Sequence, residues 1–85
     1  MKVYISRTAI QYGGRMKITD AKSYGEAIRN RRKELGYTQA YLAEFTGFSV
    51  SIISDLERGK ATAEIGKSIY LAKLLEMDLC MENRG

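Results

Sequence analysis

Three times between residues 23 and 59 a serine or threonine leads into a short apolar stretch of helical spacing that stops at a glycine: Ser23 to Gly36, Thr38 to Gly47 and Ser49 to Gly59. Each half of this rhythm has a physical cause. A hydroxyl at the N-cap accepts a hydrogen bond from an orphan amide of the first turn, and a glycine just past the last turn takes a left-handed conformation that other residues avoid. The rhythm therefore predicts three short helices joined by tight turns. In the first, Ser23 and Glu26 form a capping box that opens a helix over residues 24–35. Tyr24, Ala27, Ile28 and Leu35 make its apolar side, and Arg29, Asn30 and Lys33 the other. The second runs from Gln39 to about Phe45 behind Thr38, with Ala40, Leu42, Ala43 and Phe45 as its apolar content. The third runs from Val50 to Arg58 behind Ser49, with Ile53 and Leu56 inward. Two short helices, each entered through a hydroxyl cap and separated by a tight turn with glycine, form a helix-turn-helix arrangement.

A fourth helix is expected from about Thr62, as its cap, to Leu75, with Ile65, Ile69, Leu71, Ala72, Leu74 and Leu75 covering more than one face. An apolar surface that wide has two partners to satisfy, its own core and a second subunit. Beyond it Met77-Asp78-Leu79-Cys80-Met81-Glu82 alternates, which places Met77, Leu79 and Met81 on one side of a strand. Lys2-Val3-Tyr4-Ile5-Ser6 and Arg15-Met16-Lys17-Ile18-Thr19 alternate as well. Gly13-Gly14 between them either closes a hairpin or is the joint of a mobile tail, and Met16 is an alternative start for a shorter chain. The C-terminal strand has no partner in cis unless this arm supplies one. The chain divides into an N-terminal extended arm or strand over residues 1–21, a helical domain over 22–76, and a strand and tail over 77–85.

With 85 residues there is material for one small domain. Its 45% hydrophobic content is too high for disorder, and no apolar run approaches the roughly 18 residues of a membrane span. Histidine is absent, which removes the commonest general base and the commonest metal ligand. No nucleophile has a base placed by motif, so neither an enzyme nor a metal or other cofactor is expected. The single Cys80 has no partner for an internal disulfide and no signal-peptide core follows Met1, which points to a cytoplasmic protein. The net charge of +4 is unevenly spread: residues 1–36 carry nine Lys and Arg against three acids, while 37–60 and 61–85 each come to −1. A basic excess of this kind suits a phosphate-binding surface and equally a solvated helix face.

The runs Tyr37-Thr38-Gln39-Ala40-Tyr41-Leu42-Ala43, Gly47-Phe48-Ser49 and Ile53-Ser54-Asp55-Leu56-Glu57-Arg58-Gly59-Lys60 resemble the Cro/repressor (XRE-type) helix-turn-helix family. The likeness covers residues 24–75, about three fifths of the chain. Two features depart from the family pattern. Tyr41 stands where a glutamate usually completes a capping box, and no proline follows Lys60. The resemblance implies an all-α, lambda-repressor-like bundle of about four short helices, here with an extended arm and a short C-terminal β-strand. More narrowly, Leu56-Glu57-Arg58-Gly59-Lys60, a Gly-Lys-containing helix and Leu75-Glu76-Met77-Asp78-Leu79 are similar to HipB-like antitoxins. That likeness implies a homodimer paired through the C-terminal strand, with Ile69, Leu74, Met77, Leu79 and Met81 at its interface. It also implies a palindromic operator in double-stranded DNA, and a HipA-like kinase toxin as a second partner. Phage-type repressors and restriction-modification controllers share every one of these DNA-binding features. A protein-interaction module that kept the fold without reading DNA also stays open.

The third helix is the candidate reader, since a helix about 10–12 Å across with its side chains fits the roughly 12 Å major groove. With Ile53 and Leu56 inward, Val50, Ser51, Ser54 and Asp55 turn outward. The resemblance puts Val50, Ser51 and Asp55 at base-contacting positions, where a thymine methyl, a donor or acceptor, and a cytosine amino group are their respective chemical fits. The alternative is that these small residues only avoid clashes while phosphate contacts carry the affinity. Thr38 and Gln39 at one helix N-terminus and Ser49 at the next are candidate phosphate contacts, Gln39 beside exposed amides that favour an anion. Arg58 and Lys60 suit a phosphate and equally the C-terminal end of their own helix. By resemblance, Arg32 and Glu57 form a partly buried ion pair that ties the first helix to the third.

Overall fold

The expected glycine stops are all taken in the left-handed conformation, with φ of 76° at Gly36, 79° at Gly47 and 77° at Gly59. A computed structural model of the protein describes residues 2–7 and 16–83. Four helices follow the rhythm of caps and stops: α1 (Ala21–Glu34), α2 (Gln39–Thr46), α3 (Val50–Glu57) and α4 (Ile65–Leu74). Three strands complete the described residues: β1 (Lys2–Arg7), β2 (Met16–Ile18) and β3 (Met77–Glu82). The four expected helices are present, and the described part of the N-terminal segment, read as an extended arm or strand, is built into a sheet, so the fold is helices packed with a small sheet rather than all-α.

Two helix starts differ from expectation, each for a local reason. Asp20, not Ser23, is the N-cap of α1: its carboxylate accepts from the Ser23 amide at 2.8 Å, and the Ser23 hydroxyl accepts from the Asp20 amide at 3.1 Å. Ser23 is thus the answering residue of a box one turn earlier, and Glu26 is left exposed. In α4 Thr62 lies in the preceding turn, Glu64 occupies the N-cap position, and no side chain caps the helix. The caps at Thr38 and Ser49 are as read, accepting from the amides of Tyr41 at 3.0 Å and Ile52 at 3.1 Å.

The sheet runs in the order β2-β1-β3, all antiparallel. Val3 lies opposite both Ile18 and Met81, and Ile5 opposite both Met16 and Leu79, so these residues share one face with Met77. β3 therefore finds a partner in its own chain, supplied by the N-terminal segment. Gly13-Gly14 lies outside the described residues, as do 84 and 85. The apolar face covers a core of Ile5, Tyr24, Ala27, Ile28, Leu42, Ile53, Leu56, Leu71, Ala72, Leu75 and Met77. Met77, expected at an interface between copies, is 3% exposed within this core and is not available to a partner. Ile69, Leu74 and Leu79 are half-buried, and only Met81 of that set is exposed.

Polar bonds tie α4 to α1. The Tyr24 hydroxyl donates to the Ser68 carbonyl at 2.6 Å, and Arg31 Nε donates to the Leu75 carbonyl at 2.9 Å beyond the end of α4. Burial pushes the Tyr24 hydroxyl well above its ordinary pKa, and the hydrogen bond to Ser68 only partly offsets this. A phenol with a raised folded pKa stabilises the fold fully below the unfolded value of about 10 and loses that contribution as pH rises above it. Tyr24→Phe is expected to flatten the alkaline fall in stability. Urea midpoints followed upward from about pH 9 should drop less steeply in the variant than in the wild type. Parallel curves would mean that Tyr24 does not carry this limb.

Candidate nucleic-acid interface

α3 has two sharply different sides. At about 100° per residue, Ile52, Ile53, Leu56 and Glu57 occupy one arc of the helix and Val50, Ser51, Ser54, Asp55 and Arg58 the other. Ile53, Leu56 and Glu57 are buried, while Val50, Ser51 and Arg58 are exposed and Ser54 and Asp55 half-buried. The outward set expected from the sequence is thus the set the fold presents. The tight turn that leads into α3 is fixed by a residue the sequence reading passed over. Thr46 Oγ1 donates to the Leu42 carbonyl at 2.7 Å and accepts from the Phe48 amide at 3.0 Å, which spans Gly47. A hydroxyl in the last turn before a glycine stop is a usable signal for such a bridge.

Glu57 is the acceptor on which three helices meet. Arg32 Nε donates to its Oε2 at 2.7 Å and Arg32 Nη2 to its Oε1 at 3.0 Å, a two-pronged pair whose side chains are 11% and 3% exposed. Arg32 Nη1 donates to the Tyr37 carbonyl at 2.8 Å, just beyond Gly36. The pairing implied for Arg32 and Glu57 is therefore present and ties α1 to α3. Gln39 Nε2 joins it, donating to Glu57 Oε1 at 3.2 Å. This amide, a candidate phosphate contact, links the first turn of α2 to the clamp through one N–H and has a second N–H for another acceptor. Thr38, Gln39, Ser49, Val50 and Ser51 cluster at the N-termini of the two helices, where backbone amides add to the attraction for an anion.

Arg58 and Lys60 lie at the other end of α3 and are held by one acid. Arg58 Nη2 donates to Asp55 Oδ1 at 2.5 Å, and Lys60 Nζ donates to Oδ2 at 3.4 Å. The Arg58 hydrogen bond is the largest influence holding the Asp55 carboxyl below the usual carboxylate range, with Lys60 adding to it. Alongside α2 runs a ladder of three rings not foreseen as such: Tyr37 and Tyr41 with centroids 4.8 Å apart, and Tyr41 and Phe45 at 6.0 Å. No group of His, Cys, Asp and Glu residues that could hold a metal ion occurs among the described residues.

The sequence model of the Helix-turn-helix family (HTH_3) matches residues 28–80. The chain belongs to this family. Relatives within helix-turn-helix proteins include an uncharacterized HTH-type transcriptional regulator of Haemophilus influenzae, 31% identical over 75% of this chain and 63% of its own length. Another, YazB of Bacillus subtilis, is 48% identical over 47% of this chain and 58% of its own length. The chain thus spans less than two thirds of the length of both. A third, y4mF of Sinorhizobium fredii, is 37% identical over 69% of this chain and 78% of its own length. Two solved structures share the fold: a HipB variant in complex with an O2 20mer, TM-score 0.74 and 23% identity, and a HipB–O4 20mer complex, TM-score 0.73 and 21% identity. Each match covers 82% of this chain and nearly all of the other, 97% and 99%. No helix among the described residues is long and apolar enough to cross a membrane.

Proposed function

We propose that this helix-turn-helix protein is a sequence-specific DNA-binding transcriptional regulator, a repressor that grips a palindromic operator as a homodimer. The observation that carries the reading is the outward arc of α3, a row of small and polar side chains on a helix whose opposite arc is locked by Ile53, Leu56 and the Arg32–Glu57 clamp. A reader must be rigid from behind and open in front, and this helix is both. Val50, Ser51, Ser54 and Asp55 face base edges, while Thr38, Gln39, Ser49, Arg58 and Lys60 hold phosphates on either side. The names of the relatives and the fold shared with HipB–20mer complexes support the same reading.

Dimerisation draws on apolar surface that the protomer leaves exposed, Met81 at 69% on β3 and Ile65 at 72% on α4, together with the half-buried Ile69, Leu74 and Leu79. Among the described residues β3 pairs with β1 alone, which leaves its other edge for a second copy. The HipB likeness extends the reading to an antitoxin whose second partner is a HipA-like kinase, encoded beside it. One experiment tests the core of this. Selection of bound duplexes from a random pool, with light scattering on the same protein, is expected to give a dimer and a palindrome whose half-sites lie about 34–36 Å apart. Enrichment of no motif removes the DNA reading, and a monomer that selects a single half-site removes the dimer. Purification from the native operon with no bound neighbour removes the antitoxin role alone.

A further inference from the structure

An ionised acid on the face that meets DNA is a cost unless it has a task. Asp55 lies on the outward arc of α3, and its carboxylate is the common acceptor of both cations at that end, Arg58 at Oδ1 and Lys60 at Oδ2. The three side chains are not equally free: Arg58 and Lys60 are 72% and 57% exposed, and Asp55 only 23%. The Lys60 amide also donates to the Asp55 carbonyl at 3.0 Å, which keeps that lysine next to the helix end. The acid is thus the fixed member of the trio and the cations are the movable ones.

We propose that Asp55 is the specificity gate of the DNA-binding face: it holds Arg58 and Lys60 over arbitrary sequence and releases one of them to a phosphate only where the base facing its carboxylate offers an exocyclic amino group. Cytosine N4 and adenine N6 are the major-groove donors of that class. A facing guanine offers the carboxylate only acceptors, and a facing thymine an acceptor and a methyl group, so it keeps its own cations. An amino group replaces one of them on the carboxylate, and the freed cation turns to the backbone. This rests on the DNA reading of α3 given above.

Asp55→Asn tests it, because the amide keeps the shape but raises the charge of the trio from +1 to +2. Affinity for random-sequence duplex is expected to rise about tenfold, with a log–log salt slope steeper by about 0.9, the value of one more neutralised phosphate. The ratio of operator to random affinity should fall, and the selected motif should lose its preference for an amino-bearing base at one position per half-site. Asp55→Ala should behave alike, and neither change should affect random-duplex binding once Arg58→Ala and Lys60→Ala are present. Unchanged random affinity and salt slope in both single variants, with a wild type that still selects its motif, overturns the gate and leaves the DNA reading standing. A wild type that selects no motif overturns both.

Discussion

Gly25→Ala is expected to destabilise the protein by on the order of 3 kcal/mol or more, although an intrinsic helix scale puts alanine ahead of glycine by about 1 kcal/mol inside a helix. The two effects oppose each other, and the geometry decides which prevails. A Cβ on Gly25 would stand 2.4 Å from the Glu57 carbonyl oxygen and 2.6 Å from that of Leu56. Both are backbone atoms of the last turn of α3, so no side chain can swing aside. α1 and α3 must move apart, and between them lie Ile28 and Ile53, each 0% exposed, and Leu56 at 2%. Separation opens voids in a core that is densely packed, and it stretches the Arg32–Glu57 clamp next to it. Denaturant unfolding of the variant should show a sharply lowered midpoint, while a peptide of residues 20–36 carrying the same change becomes more helical. A midpoint at or above that of wild type would mean that the α1–α3 spacing is slack.

What the sequence made legible was local chemistry. Thr38, Gly47, Ser49 and Gly59 act within a turn of where they stand, so the α2–turn–α3 unit and the outward arc of α3 followed from punctuation and period. Where two local solutions overlapped, the stronger one was missed: Asp20-x-x-Ser23 and Ser23-x-x-Glu26 are both capping patterns, and the carboxylate cap one turn earlier is the one formed. Long-range pairing was legible only as an option, that the N-terminal segment supply the partner of the C-terminal strand, and its register was not legible. Alternation in Met77, Leu79 and Met81 placed them on one face, but how far each is covered depends on where the helices end beneath the sheet, from 3% exposed at Met77 to 69% at Met81. The partner of β3 is β1, seventy to eighty residues away in sequence. Gly25 drew no reading from the sequence, although a glycine among the buried Tyr24, Ala27 and Ile28 is a sign of close backbone approach. The Asp55–Arg58 pair was not read, although a spacing of three on one helix permits it, and the Arg32–Glu57 pair entered only through family resemblance.

Arg32→Ala is expected to cost roughly 3–5 kcal/mol, the range for removing one partner of a buried ion pair. The loss is larger than the pair's own net contribution, because the change strands what remains. Glu57, 3% exposed at its side chain, would keep only the single amide donor of Gln39, and the Tyr37 carbonyl would lose the guanidinium that satisfies it. Glu57→Ala should cost a similar amount by leaving the guanidinium, 11% exposed, without its acceptor. A combined Arg32→Met and Glu57→Leu chain should recover much of the stability, since apolar side chains of like volume leave no charge behind. The double variant then separates clamp from contact. With the fold restored but Gln39 deprived of its acceptor, binding to a selected operator should fall through misplacement of the α2 N-terminus, about tenfold or less, while the salt slope stays within one unit of wild type. A single Arg32→Ala variant that melts like wild type yet loses binding would make Arg32 a phosphate contact and not a clamp.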